Sequence, residues 1–142
     1  MINNNHDRNI VVIRGNIVWV NFGAYESRSK QGGVRPACIM SNNKCNENSP
    51  VVTVVPITSK CKKKDLPTHI DVNKMDARGL TYDSVALTEQ IMSVDKKDIK
   101  KVSGLITNQR VMNEISGGIA IQCGLDTGVM KSGGRNFGKK NN

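Results

Sequence analysis

Apolar and polar positions alternate through most of the chain, and the pattern predicts strands first and helices late. Over residues 10–20, Ile13, Ile17 and Trp19 alternate with polar or smaller residues, and Arg14-Gly15-Asn16 marks a turn or kink at the start. Residues 37–41 form a run that is apolar on both faces, as expected of a buried strand. Residues 51–57 (VVTVVPI) are strongly β-branched and predict a central strand. Pro56 has no N–H to donate, so pairing is expected to break there or to lie at an edge. Residues 67–72 read as a short alternating strand, and 84–94 as the last long one. In that last strand Val85, Leu87, Glu89 and Ile91 would share one face, with Ala86, Thr88, Gln90 and Met92 on the other. Residues 21–34, 42–50 and 73–81 are polar connections. The first is long for a hairpin loop, which favours a functional role. Two helices close the pattern. Asp95 would cap a short one at 96–101, with Asp98 completing an acidic capping box. Thr107 or Asn108 would cap the second, which puts Val111, Met112, Ile115 and Ile119 on one face. Ser116-Gly117-Gly118 should bend that helix or remove a turn, at about 1 kcal/mol per glycine relative to alanine.

Strands followed by segregated helices predict a mainly β fold with peripheral helices, a small β-barrel. The length of 142 residues suits one domain, placed at 12–125. A polar extension (1–11) precedes it, and a basic, Gly- and Asn-rich tail (126–142), read as disordered, follows. The N-terminus lacks the charge and apolar run of a signal peptide, and no window has the length of a membrane span. The expectation is a soluble protein, cytoplasmic in a bacterial host. Charge narrows the partners: 21 Lys and Arg against 12 Asp and Glu give +9, which favours nucleic acid or an acidic protein without choosing between them. Cys38, Cys45, Cys61 and Cys123 form no CxxC pair, and His6 and His69 are not spaced to complete a zinc set. The four read as reduced thiols, with no metal and no cofactor expected.

Two places carry candidate chemistry. At 30–40 (KQGGVRPACIM) a glycine loop runs into a strand at Arg35-Pro36. The proline holds an extended φ and keeps Arg35 out of helical geometry, so a guanidinium stands where a loop enters a rigid element. That suits anion recognition, and an arginine on a solvated strand end has the same sequence. After residue 57, Thr58 and Ser59 stand beside the run Lys60-Cys61-Lys62-Lys63-Lys64. This is either a phosphate site or a solvated charge run.

Taken in order, Arg14-Gly15-Asn16-Ile17, Gln31-Gly32-Gly33-Val34-Arg35-Pro36, Val54-Val55-Pro56-Ile57-Thr58-Ser59, Pro67-Thr68-His69-Ile70, Leu87-Thr88-Glu89-Gln90-Ile91 and the ending at 119–125 resemble the MazF/PemK family of toxin endoribonucleases. The resemblance covers roughly residues 13–125. It implies an SH3-like barrel, a homodimer, and metal-independent cleavage of single-stranded RNA at short sequences, leaving a 2′,3′-cyclic phosphate and a 5′-hydroxyl. It implies as partner an antitoxin whose acidic segment folds across the RNA groove. Arg35 and Thr58 stand at the family's catalytic positions, and Lys30, Gln31, Gly32, Gly33, Ser59, Lys60, Lys62 and Gln90 are the implied RNA contacts. Two features depart from the pattern. Lys30 stands where many members carry glutamate, which leaves the general base unassigned, with Glu26 in the same loop. The glycine pair of the final helix is the second. Lys30 also motivates a rival reading, a barrel that binds RNA or antitoxin without cleaving. A gyrase-poisoning toxin of the same fold is the third.

Overall fold

The structure, a computed structural model, describes residues 10–23, 33–60 and 66–125. The tail read as disordered, most of the polar extension, and Glu26, Lys30, Gln31, Gly32 and Lys62 lie outside the described residues. The strands are β1 (Asn16–Asn21), β2 (Val34–Ile39), β3 (Val51–Thr58), β4 (His69–Val72), β5 (Ala77–Arg78), β6 (Ser84–Leu87), β7 (Met92–Asp95) and β8 (Ile99–Ile106). Helix α1 is Asn43–Asn48 and α2 is Gln109–Gln122. Among the described residues the sheet order is β4-β6-β3-β2-β1-β8-β5, with β7 beside β3, and the sheet curls into a nearly closed barrel.

Strand β3 makes the corner. It pairs with β7 over Val51–Val54 and with β6 at Ile57 and Thr58, so its partner changes across Val55 and Pro56. The missing N–H of Pro56 falls where that flank has no ladder, as its chemistry requires. Alternation along β1, β2 and β3 feeds two apolar clusters. Ile17, Cys38, Val55 and Ile57 face one, with α2 residues Val111, Met112 and Ile115; Val18, Val20, Ala37, Ile39 and Val54 face the other. This explains the runs that are apolar on both faces: residues 37–40 and 54–57 are buried at every position. Cys38 is fully buried, and burial pushes its thiol up to about 12 against an opposing pull from Arg14, so it stays a neutral core group. Arg14 is itself a strut, donating to the Met40 carbonyl and, at 2.8 Å, to Ser116 Oγ of α2.

Four expectations need correction. The strand at 84–94 is broken: Thr88–Gln90 is a 3-10 turn between β6 and β7, so strand alternation does not place Glu89 and Gln90. Thr88 causes the break, because both its N–H and its hydroxyl bond the Thr68 carbonyl, at 3.0 and 2.6 Å. The helix at 96–101 is only a 3-10 turn (Lys96–Asp98) with no side-chain cap from Asp95, and β8 begins at Ile99. The connection 42–50 holds α1, whose first turn is capped by Asn42 accepting from the Cys45 N–H at 2.8 Å. Finally, α2 runs unbroken through Ser116-Gly117-Gly118, capped by Asn108. Gly118 is there for contact: a Cβ would lie 2.7 Å from Thr88 Oγ1. The glycine lets the helix press onto the turn that breaks the strand.

Candidate active site

The antiparallel register of β2 and β3 pairs Ala37 with Pro56, and continuing it two residues further sets Arg35 across from Thr58. Two residues 23 positions apart in the sequence are thereby brought to neighbouring strand ends on the same face of the sheet. Both border a cavity of about 260 Å³. Its other walls are Ile17 and Trp19 from β1, Val34 and Pro36 from β2, Ile57 from β3, Ser59 and Lys60 beyond it, residues 79–82 with Ser84, and Ser103 of β8. Arg35 is exposed and Thr58 half-buried. The Thr58 hydroxyl accepts the Lys60 N–H at 3.1 Å. That bond occupies an acceptor position and leaves the hydroxyl proton to be donated elsewhere.

Local structure delivers each wall. Gly23 and Gly33 pinch the base of the segment 24–32: the Gly33 N–H bonds the Gly23 carbonyl at 2.6 Å, and the Phe22 N–H bonds the Gly33 carbonyl at 2.9 Å. Both glycines have positive φ, 82° and 74°, a conformation side chains with a Cβ rarely adopt. The segment that contains Lys30, Gln31 and Gly32 therefore rejoins the described fold two residues before Arg35. On β8 a register shift opposite Ile17 and Val18 leaves Ser103 as an extra residue, turned to the cavity, with its hydroxyl donating to the Ile17 carbonyl at 3.3 Å. Such bulges re-aim side chains beside sites. Residues 79–82 are held by contact of two glycines: a Cβ on Gly79 would lie 2.1 Å from the Ser103 carbonyl oxygen, and one on Gly104 2.1 Å from that of Arg78.

Of the residues proposed from sequence, Arg35, Thr58, Ser59 and Lys60 come together at this cavity, with Gly33 at the loop base beside it. Gln90 does not line it; it sits half-buried on the 3-10 turn next to Glu89, which bonds His69 at 2.9 Å. Trp19, Tyr82 and Ser103 line the cavity without having been singled out. The available signal was composition: aromatic residues are 4% of the chain, so an exposed one is notable.

The electrostatics are one-sided. Arg35 and Lys60 are on the lining, and among the described residues no carboxylate is. A second cavity, about 420 Å³ between β4 and α2, has the opposite balance, with Asp71, Asp76 and Glu114 beside His69 and Arg110. The first is cationic along its described walls and the second mostly anionic. Among the described residues no three His, Cys, Asp or Glu side chains gather to hold a metal ion.

Fold and site together define a small β-barrel protein with a cavity lined by cations at the junction of β2 and β3. Residues 13–123 match the family described as PemK-like, MazF-like toxin of type II toxin–antitoxin system. The chain belongs to that family. Endoribonuclease MazF of Staphylococcus saprophyticus is 38% identical over 99 residues, 70% of this chain and 81% of that protein. Among solved structures, MazF of Deinococcus radiodurans superposes with a TM-score of 0.68 at 23% identity, over 82% of this chain and 99% of that one. A mycobacterial endoribonuclease in complex with its cognate antitoxin gives 0.62 at 23% identity, over 82% and 96%. At those identities the structural matches establish the fold.

Proposed function

We propose that this member of the family is an endoribonuclease, the toxin of a toxin–antitoxin module, and that it cuts single-stranded RNA at the cavity bordered by Arg35 and Thr58. The observation that carries the reading is the lining itself: a guanidinium, an ammonium and the hydroxyls of Thr58, Ser59, Thr81, Tyr82, Ser84 and Ser103 around one cavity with no carboxylate among its described walls. In the reaction the 2′-hydroxyl attacks the adjacent phosphorus and the bond to the 5′-oxygen breaks, giving a 2′,3′-cyclic phosphate and a 5′-hydroxyl. Negative charge grows on the non-bridging oxygens as the phosphorane forms. Arg35 meets it with a planar fork of donors matched to phosphate. Thr58 adds its hydroxyl to the same group. Donors fixed in place before the reaction commonly contribute about 3 kcal/mol to such a transition state. The described walls offer neither carboxylate nor imidazole to take the 2′-hydroxyl proton. The general base is therefore unassigned among these walls; Glu26, in the segment 24–32, is the carboxylate that could substitute, with Lys30 holding a phosphate instead.

The same face suits the acidic segment of an antitoxin, and the mycobacterial relative solved with its cognate antitoxin supports that partner. Assembly as a homodimer belongs to the proposal. A second reading, binding without cleavage, draws on Lys30 standing in place of an acid. One experiment separates them: a long single-stranded RNA incubated with the protein in EDTA, with new 5′-hydroxyl ends counted. Cleavage in EDTA is expected. RNA that is retained on a gel but stays intact establishes the second reading and sinks the first.

A further inference from the structure

The chain contains one Trp, two Tyr and two Phe. Three of these five, Trp19, Phe22 and Tyr82, fall among the described residues. Phe22 is core, 7% exposed, whereas Trp19 and Tyr82 both line the cavity that Arg35 and Thr58 border. Tyr82 is 67% exposed, so the fold gains little from burying its ring. Trp19 is half-buried, and the Lys101 ammonium lies 5.9 Å from its ring centroid. The two residues reach the cavity from unrelated parts of the barrel. Trp19 comes from β1, opposite Pro36 on one side and Lys101 on the other, with register shifts of the β1–β8 pair next to it. Tyr82 comes from the connection between β5 and β6, held in place by the contact of Gly79 with Ser103 and Gly104. A chain this poor in aromatic residues brings two of them to one cationic cavity.

Phosphate chemistry needs neither ring. A nucleobase does: bases of an unpaired strand can splay out and stack on aromatic faces, which the bases of a duplex cannot do. Resting on the RNA-cleaving reading of this cavity, we propose that Trp19 and Tyr82 are base-stacking positions that hold the nucleobases flanking the phosphate at Arg35. The cations fix the backbone, and the rings fix which side of it the bases take. The Lys101 ammonium near the Trp19 ring adds positive charge beside that position. The preference for single strands then resides in these two rings rather than in Arg35 or Lys60, since phosphate contacts serve either form of nucleic acid.

The test uses the full-length protein and a short single-stranded RNA made uncleavable by 2′-deoxy substitution at the cut position, with a hairpin of the same sequence as control. Trp19 is the only tryptophan, so its fluorescence reports on this cavity alone. Stacking predicts that saturating RNA quenches it. Trp19→Ala and Tyr82→Ala are each expected to weaken single-strand binding about 10-fold, with Trp19→Phe and Tyr82→Phe keeping most of it. The salt dependence of binding should stay at the parent's slope in all four variants, because the phosphate contacts are intact. A merely structural Trp19 would change folding and slope together, and Tyr82, being exposed, can be truncated without that ambiguity. Unchanged tryptophan fluorescence at saturation, or Tyr82→Ala binding within about twofold of the parent while the parent still cleaves, overturns the stacking proposal and leaves the nuclease standing. A parent protein that neither binds nor cuts RNA overturns both.

Discussion

Arg35 and Thr58 border one cavity from adjacent strands, and their separate and joint removal tests whether they serve one transition state. Arg35→Ala removes the charge the phosphorane needs, and Arg35→Lys restores a point charge without the two-pronged fork. Both are expected to lose cleavage by at least about 100-fold, with the lysine variant keeping more RNA binding. Thr58→Ala should slow cleavage with little loss of stability, since among the described residues the half-buried side chain has one hydrogen bond, from the Lys60 N–H, and Thr58→Ser should retain much of the rate. Groups acting as a unit are not additive, so the double alanine variant should be hardly slower than Arg35→Ala alone. Single-turnover rates on one RNA decide it. A double variant slower by the product of the two single effects would show two independent roles, and an Arg35→Ala protein cutting at the parent rate would remove Arg35 from the chemistry.

At the scale of elements, the same glycine that argues against a helix in sequence holds one in place in the fold. Alanine at 118 would gain about 1 kcal/mol of helix propensity. It would also place a Cβ 2.7 Å from Thr88 Oγ1, on a β-branched side chain that is fully buried and bonded to the Thr68 carbonyl. Thr88 cannot step aside, and overpacking of this kind costs about 1–3 kcal/mol. Gly118→Ala is therefore expected to lower the midpoint of chemical denaturation, and a midpoint at or above the parent's would show that the turn at Thr88 yields. What was readable in the sequence follows the same division. Strands β1 to β4 and the apolar face of α2 were legible because period and burial agree there. The break at Thr88 was not, since it comes from a hydroxyl bonded to a carbonyl twenty residues away. Strand β8 was hidden by its register shifts against β1, which erase alternation, and by Lys96 to Asp98, which imitate a helix start. The family resemblance named Arg35 and Thr58, which border one cavity, and Trp19 and Tyr82 were missed because no local pattern says that two distant rings share a cavity.

For the whole molecule, a charge of +9 constrains both what binds and how copies of the chain meet. Cationic faces repel each other, so a homodimer must close through apolar surface, whose association salt does not screen away. Contact with RNA is the opposite case: each neutralised phosphate releases counterions, and for single strands the logarithm of affinity falls with a slope of about 0.7 per phosphate. Two phosphates held at Arg35 and Lys60 give a slope of about −1.4, or on the order of a 7-fold loss for a fourfold rise in salt. The two equilibria should therefore separate in one salt series. Sedimentation at micromolar concentration is expected to give twice the 15.5 kDa chain mass at every salt, while RNA affinity measured on the same samples falls steeply. A species of 15.5 kDa alone would remove the dimer. An RNA affinity indifferent to salt would remove the cavity's cations from recognition, because a guanidinium and an ammonium that hold phosphate must release ions to do it.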